Sequence, residues 1–130
     1  MFRFAALFLA LALAASASAQ EKTVKIVLGF PAGATSDLLS RLVAEHMRQT
    51  LGQPVIVENK PGAGGQIANE SVKGAASDGA TLLMTPVATM SIYPHSYAGL
   101  LRYDPFKDFE PVAHLSDFQL SLGVDRKSVV

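Results

Sequence analysis

The sequence has no cysteine. That excludes a disulfide framework, a thiolate nucleophile and a Cys-type zinc site. It also lacks a surplus of either charge: 11 Lys and Arg stand against 11 Asp and Glu in 130 residues. A balanced chain has no electrostatic footprint for nucleic acid or for an anionic membrane surface. Several motifs of catalysis and nucleotide binding are missing as well. Gly62 and Gly64 are followed by Ile67 where G-x-G-x-x-G would need a third glycine. There is no phosphate-loop pattern and no G-x-S-x-G elbow. His46, His95 and His114 are scattered without metal-ligand spacing, and His46 falls among surface positions of a helix. No catalytic group, metal or cofactor is expected.

No long hydrophobic run is present either. The apolar stretch near the start, residues 4–15 of "MFRFAALFLALALAASASAQ", is shorter than the ~20 residues a membrane span requires. It follows Arg3 and ends in Ala17-Ser18-Ala19, an A-x-A pattern. Residues 1–19 therefore read as an export signal cut before Gln20, and no insertion in the membrane is expected after cleavage. With no cysteine behind the apolar run, a lipid anchor is excluded. Removing Arg3 with the signal leaves ten basic and eleven acidic side chains, a net charge near −1.

What is present is a regular alternation of apolar strands and helical periods. "KTVKIVLGF" (residues 22–30) reads as a buried strand. A helix is predicted over residues 36–51, with Leu38, Leu39, Leu42, Val43 and Met47 at helical spacing and Gly52 as its stop. "QPVIVEN" (53–59) is a second strand, followed by a glycine-rich loop (61–65) and a helix (66–75). The turn "SDGA" (77–80) leads to a third strand (81–85), then a helix over 88–100 interrupted by Pro94. "RYDPFKDFEPV" is a polar loop, and residues 112–124 read as one or two further strands. The order β-α-β-α-β-α-β, with crossovers of 15 residues or more, predicts a parallel sheet covered on both faces. The closing "DRKSVV" reads as the opening of a helix that does not continue, and an N-terminal fragment of a longer protein is expected.

In such sheets ligands sit outside the carboxyl ends of the strands. Three loops answer that description: "PAGATSD" after the first strand, "PGAGGQ" after the second and "TPVATMS" after the third. They share Gly, Ala, Ser and Thr beside a helix start, a composition suited to holding an anion on backbone N–H groups. Thr35, Ser36, Thr85, Thr89 and Ser91 could add hydroxyl hydrogen bonds. A purely structural reading stands beside this one. Ser36 or Asp37 can cap the first helix, with Asp37 read as a cap or loop brace ahead of an anion ligand. Gly64 and Gly65 can serve only a turn. Asn69-Glu70-Ser71 matches a glycosylation sequon, a pattern common by chance.

Four stretches in order, "KIVLGFPAGATSDLLSRLVAEHM", "LGQPVIVENKPGAGG", "SDGATLLM" and "YDPFKDFEPV", resemble the Bug receptors, the periplasmic substrate-binding components of tripartite tricarboxylate transporters. The likeness runs from Lys25 to the end. It implies a type II periplasmic-binding-protein fold, α/β with a parallel sheet flanked by helices, in two lobes that close over a small carboxylate. By that resemblance residues 20–117 form the first lobe, and residues 118–130 begin the crossing to the second. Carried over by position, the ligand-binding residues are Gly33, Ala34, Thr35, Ser36 and Asp37 in the first loop, and Gly64, Gly65 and Gln66 in the second. Thr85, Ala88 and Thr89 belong to the third. The implied partners are a small organic acid, held in part through bridging waters, and the membrane permease subunits.

The chain departs from the family where Gly33-Ala34 replaces consecutive glycines, so a methyl group narrows the approach to the backbone. Pro31-Ala32 also differs in order. The competing reading is an exported α/β enzyme acting on an anionic substrate, its catalytic residues lying beyond this segment. Expressed alone, the segment is expected to be poorly stable.

Overall fold

A computed structural model of the chain describes residues 22–118. The export signal and the strand positions 119–124 thus lie outside the described residues.

Three strands form a parallel sheet in the order β2-β1-β3: β1 (Val24–Leu28), β2 (Val55–Asn59) and β3 (Thr81–Met84). β1 is the middle strand and its apolar residues are the core, with Val24, Ile26, Val27 and Leu28 all buried. In register, Leu28 faces Asn59 on one side and Met84 on the other. The fold class matches the sequence expectation.

The helices are α1 (Thr35–Leu51), α2 (Gln66–Lys73), α3 (Val87–Ser91) and α4 (Tyr93–Ser96), with a 3-10 turn at Ala63–Gly65. α1 and α2 lie on opposite faces. Ser40 of α1 donates to the Met84 sulfur, on the face shared by Leu28. α2 meets the other face, where Gly29 approaches Gly65 and Ala68. This follows from the topology, since right-handed crossovers running first one way and then the other across β1 place their helices on opposite sides.

Local chemistry explains the ends of α1. Gly52 stops it in the left-handed conformation (φ 66°), its N–H donating to the Arg48 carbonyl at 3.1 Å. The start lies one residue earlier than expected, with Ala34 as the N-cap residue and no side chain capping it. The face also differs. The buried side of α1 is Asp37, Ser40 and Ala44, whereas Leu38 and Leu42 are exposed. Small and polar residues let the helix lie close against the sheet, and the larger leucines point away from it.

Two further expectations are corrected. The helix expected over 88–100 is two short helices, α3 and α4, broken at Ile92 and finished by Tyr97. Pro94 has no N–H for a continuing helix and its ring crowds the preceding turn. The strand expected from Val112 is not formed through Phe118; Val112, Leu115 and Phe118 are exposed and no described strand lies beside them to pair with.

Candidate functional site

Because all three strands run parallel, the segments after β1, β2 and β3 emerge at one edge of the sheet. The strand order reverses between β1 and β3, the topological switch point where ligands settle in open α/β sheets.

The first loop is built around Asp37, which is 2% exposed. One carboxylate oxygen accepts the Gly33 N–H and the Arg41 Nε, both at 2.9 Å. The other accepts Asn59 Nδ2 at 3.0 Å, and the same amide donates to the Phe30 carbonyl. The Arg41 hydrogen bond, then those from Gly33 and Asn59, lower the Asp37 pKa to about 2. The carboxylate is therefore saturated and ionised. Asp37 occupies the brace role of the two roles open to it, and the Gly33 N–H is engaged internally. Among the described residues, no acceptor meets the N–H groups of Thr35 and Ser36 at the start of α1. First-turn N–H groups have no partner within their own helix, and so they stay available.

The second loop turns through four successive residues with positive φ, Gly62 to Gly65. Ala63 is the one non-glycine among them (φ 47°), a conformation costly for a side chain. The Gly65 N–H donates to the Gly62 carbonyl and the Gln66 N–H to the Ala63 carbonyl. Those of Ala63 and Gly64 find no acceptor among the described residues. Gly64 is exposed at this edge, while Gly65 is buried. A Cβ on Gly29 would lie 2.6 Å from the Gly65 Cα, so bare backbone is what lets the second loop close over the end of β1.

The third loop is held from inside. The Thr85 hydroxyl lies 2.9 Å from that of Thr89 and donates to Asn69 Oδ1 at 3.2 Å. Thr89 is 1% exposed; its hydroxyl and its N–H both donate to the Pro86 carbonyl. The N–H groups of Val87 and Ala88 have no acceptor among the described residues. The second loop is tied to α4, with Tyr93 Oη donating to the Gly64 carbonyl at 3.3 Å, and a Cβ on Gly65 would meet the Thr89 methyl of the third loop at 3.7 Å.

Nine of the eleven predicted residues sort into two groups. Thr35, Ser36, Gly64 and Ala88 present N–H groups at the strand edge. Gly33, Asp37, Gly65, Thr85 and Thr89 hold the loops in shape. Ala34 caps α1, and Gln66 is half-buried with only its side-chain amide uncommitted. Sequence reasoning missed the braces Arg41, Asn59, Asn69, Tyr93 and Tyr103. The Asp37–Arg41 spacing of one helical turn was a usable signal; nothing local marks the other four. Among the described residues, no three His, Cys, Asp or Glu side chains gather as a metal centre would require, and no helix is long and apolar enough to cross a membrane.

Comparison with known proteins identifies the family. The profile of the Tripartite tricarboxylate transporter family receptor, TctC, matches residues 39–129. The chain belongs to this receptor family, as its four sequence stretches imply. It is 36% identical over 110 residues to the UPF0065 protein in gbd 5'region of Cupriavidus necator, covering 85% of this chain and 33% of that protein. It is 32% identical over 106 residues to protein BugT of Bordetella pertussis, covering 82% and 32%. Among solved structures it is similar to MatC from Rhodopseudomonas palustris with bound malate, at 42% identity and a TM-score of 0.66, over 72% of this chain and 31% of that one. The chain spans about a third of the length of the relatives it matches.

Proposed function

We propose that this chain supplies the first lobe of a periplasmic receptor that captures a small organic carboxylate and presents it to a membrane permease. Residues 20–117 form the lobe and 118–130 lead toward its partner. The observation that carries the reading is the set of six N–H groups, on Thr35, Ser36, Ala63, Gly64, Val87 and Ala88, that have no acceptor among the described residues and lie at one edge of a parallel sheet. The malate bound to MatC supports a small acid as the ligand class.

Magnitudes decide how such a site works. A hydrogen bond to a charged group contributes about 1.5–3 kcal/mol, whereas a helix dipole contributes about 0.3–1 kcal/mol at an exposed terminus. Orientation of individual N–H groups therefore outweighs the dipole. Micromolar affinity needs about 8 kcal/mol, and association also costs several kcal/mol in lost freedom. That cost takes up much of what one open lobe offers. Closure by a second lobe supplies further contacts and excludes water, and the change of shape lets a permease tell loaded from empty.

The enzyme reading finds no support in Asp37, the one perturbed carboxylate at this edge among the described residues. A general acid needs a raised pKa, and that of Asp37 is lowered. Calorimetric titration of the full-length receptor with malate, succinate, citrate, glutamate and benzoate tests the proposal. Saturable binding of at least one acid, without turnover, is expected. Failure of every acid to bind, or its conversion to product, would overturn it.

A further inference from the structure

The third loop is anchored from below by residues outside all three loops. Tyr103, 5% exposed, donates its hydroxyl to the Thr89 carbonyl at 2.7 Å. That carbonyl is free because α3 and α4 do not join. In an unbroken helix it would accept the Tyr93 N–H, and among the described residues it accepts no backbone N–H at all. The break before Pro94 thus creates the acceptor that Tyr103 takes. Tyr103 is itself fixed, its ring packing edge-on against Phe109 at 5.8 Å. The segment that follows is tied to α2 by the Lys73–Asp108 ion pair at 3.0 Å.

From the other side, Asn69 of α2 is wholly buried, and its Oδ1 accepts the Thr85 hydroxyl. Its Nδ2 meets no acceptor in good hydrogen-bonding geometry among the described residues, although the amide lies close enough to act on the Tyr103 hydroxyl. A buried donor without an acceptor lowers stability, and an apolar side chain there would avoid that loss. Core packing alone therefore does not account for Asn69. Its engaged end is the one that faces the third loop.

We propose that Tyr103 and Asn69 are positioning residues that set the gap between the glycine loop and the third loop, and with it which carboxylate fits. The line Asn69, Thr85, Thr89, Tyr103 joins α2, the end of β3, α3 and the 102–109 segment. Between Gly65 and the Thr89 methyl there is room for about one Cβ, which would meet that methyl at 3.7 Å, so a shift of α3 changes the width of this gap. The selectivity part of this proposal rests on the carboxylate reading above; the positioning part does not.

Amide hydrogen exchange in the full-length receptor without ligand tests the positioning. Gly65, Gln66 and Thr89 are the reporters, and the Gly33 N–H, held by Asp37, is the control. Tyr103→Phe and Thr85→Val should each speed exchange at the reporters on the order of tenfold, the scale of one buried hydrogen bond. Gly33 should stay unchanged, and Thr85→Ser should restore the slow rate. Unchanged reporters, or an equal rise at Gly33, would overturn the positioning. The same variants are then titrated with malate and succinate. The ratio of the two affinities should shift several-fold; a uniform loss would overturn the selectivity. A wild-type receptor that binds neither acid would sink the proposed function, while exchange would still decide the positioning.

Discussion

The Asp37 carboxylate accepts the N–H of Gly33, four residues earlier, at 2.9 Å. An acidic side chain at the third helical position reaches back across the start of α1, much as the acid of a capping box does. The loop is thereby fixed before any ligand arrives, and a carboxylate that would repel an anion is turned inward onto Arg41 and Asn59.

Acid should release this brace. The Asp37 pKa is lowered from 3.8 to about 2, first by the Arg41 hydrogen bond. A depressed carboxylate contributes stability that is fully present above its unfolded pKa and is lost as pH falls through the folded value. The window is therefore pH 4 down to about 2. Glu45, held by Arg48 and Gln49, titrates in the same range, so the wild type must be compared with Asp37→Asn. The variant should show a smaller loss of thermal stability across that window. It should also exchange its Gly33 amide faster at neutral pH, on the order of tenfold. Identical pH profiles would refute the brace.

Gly29→Ala should be among the most harmful single changes outside the loops. The new methyl would meet the Gly65 backbone at 2.6 Å, and backbone cannot swing aside as a flexible side chain can. Overpacking of this kind costs about 1–3 kcal/mol. Denaturant unfolding should show the midpoint falling with an unchanged slope. A midpoint within error of wild type would contradict the close packing of the second loop on β1.

Gly64→Ala acts at the site itself. The residue has φ 64°, and a Cβ there would stand 2.5 Å from the Tyr93 hydroxyl. The left-handed conformation costs about 1–2 kcal/mol for a side chain. Pairing the change with Tyr93→Phe separates the two causes. If the collision dominates, the double variant regains most of the lost stability; if the backbone dominates, it regains little.

The sheet was legible in the sequence because β1 is apolar on both sides and each strand ends in Gly, Asn or Pro at the edge where the loops begin. The stop of α1 at Gly52 was equally plain. The buried face of α1 was not. Periodicity ranks leucine above serine, and only the tertiary fold shows Ser40 and Ala44 against the sheet while Leu38 and Leu42 face away. The break at Pro94 was visible as an interruption but not as a helix end. Asn59, Asn69 and Tyr103 act across 22, 16 and 14 residues of sequence. Pairings that distant leave no local pattern, which is why the loops could be placed from the sequence and their braces could not.

The central claim is that backbone N–H groups, not reactive side chains, hold the ligand. A crystal structure of the full-length receptor with malate tests it most directly. The account predicts a carboxylate within hydrogen-bonding distance, directly or through one water, of the Thr35 or Ser36 N–H and of the Gly64 or Ala88 N–H. Malate bound elsewhere, with all four N–H groups turned to bulk solvent, would contradict it.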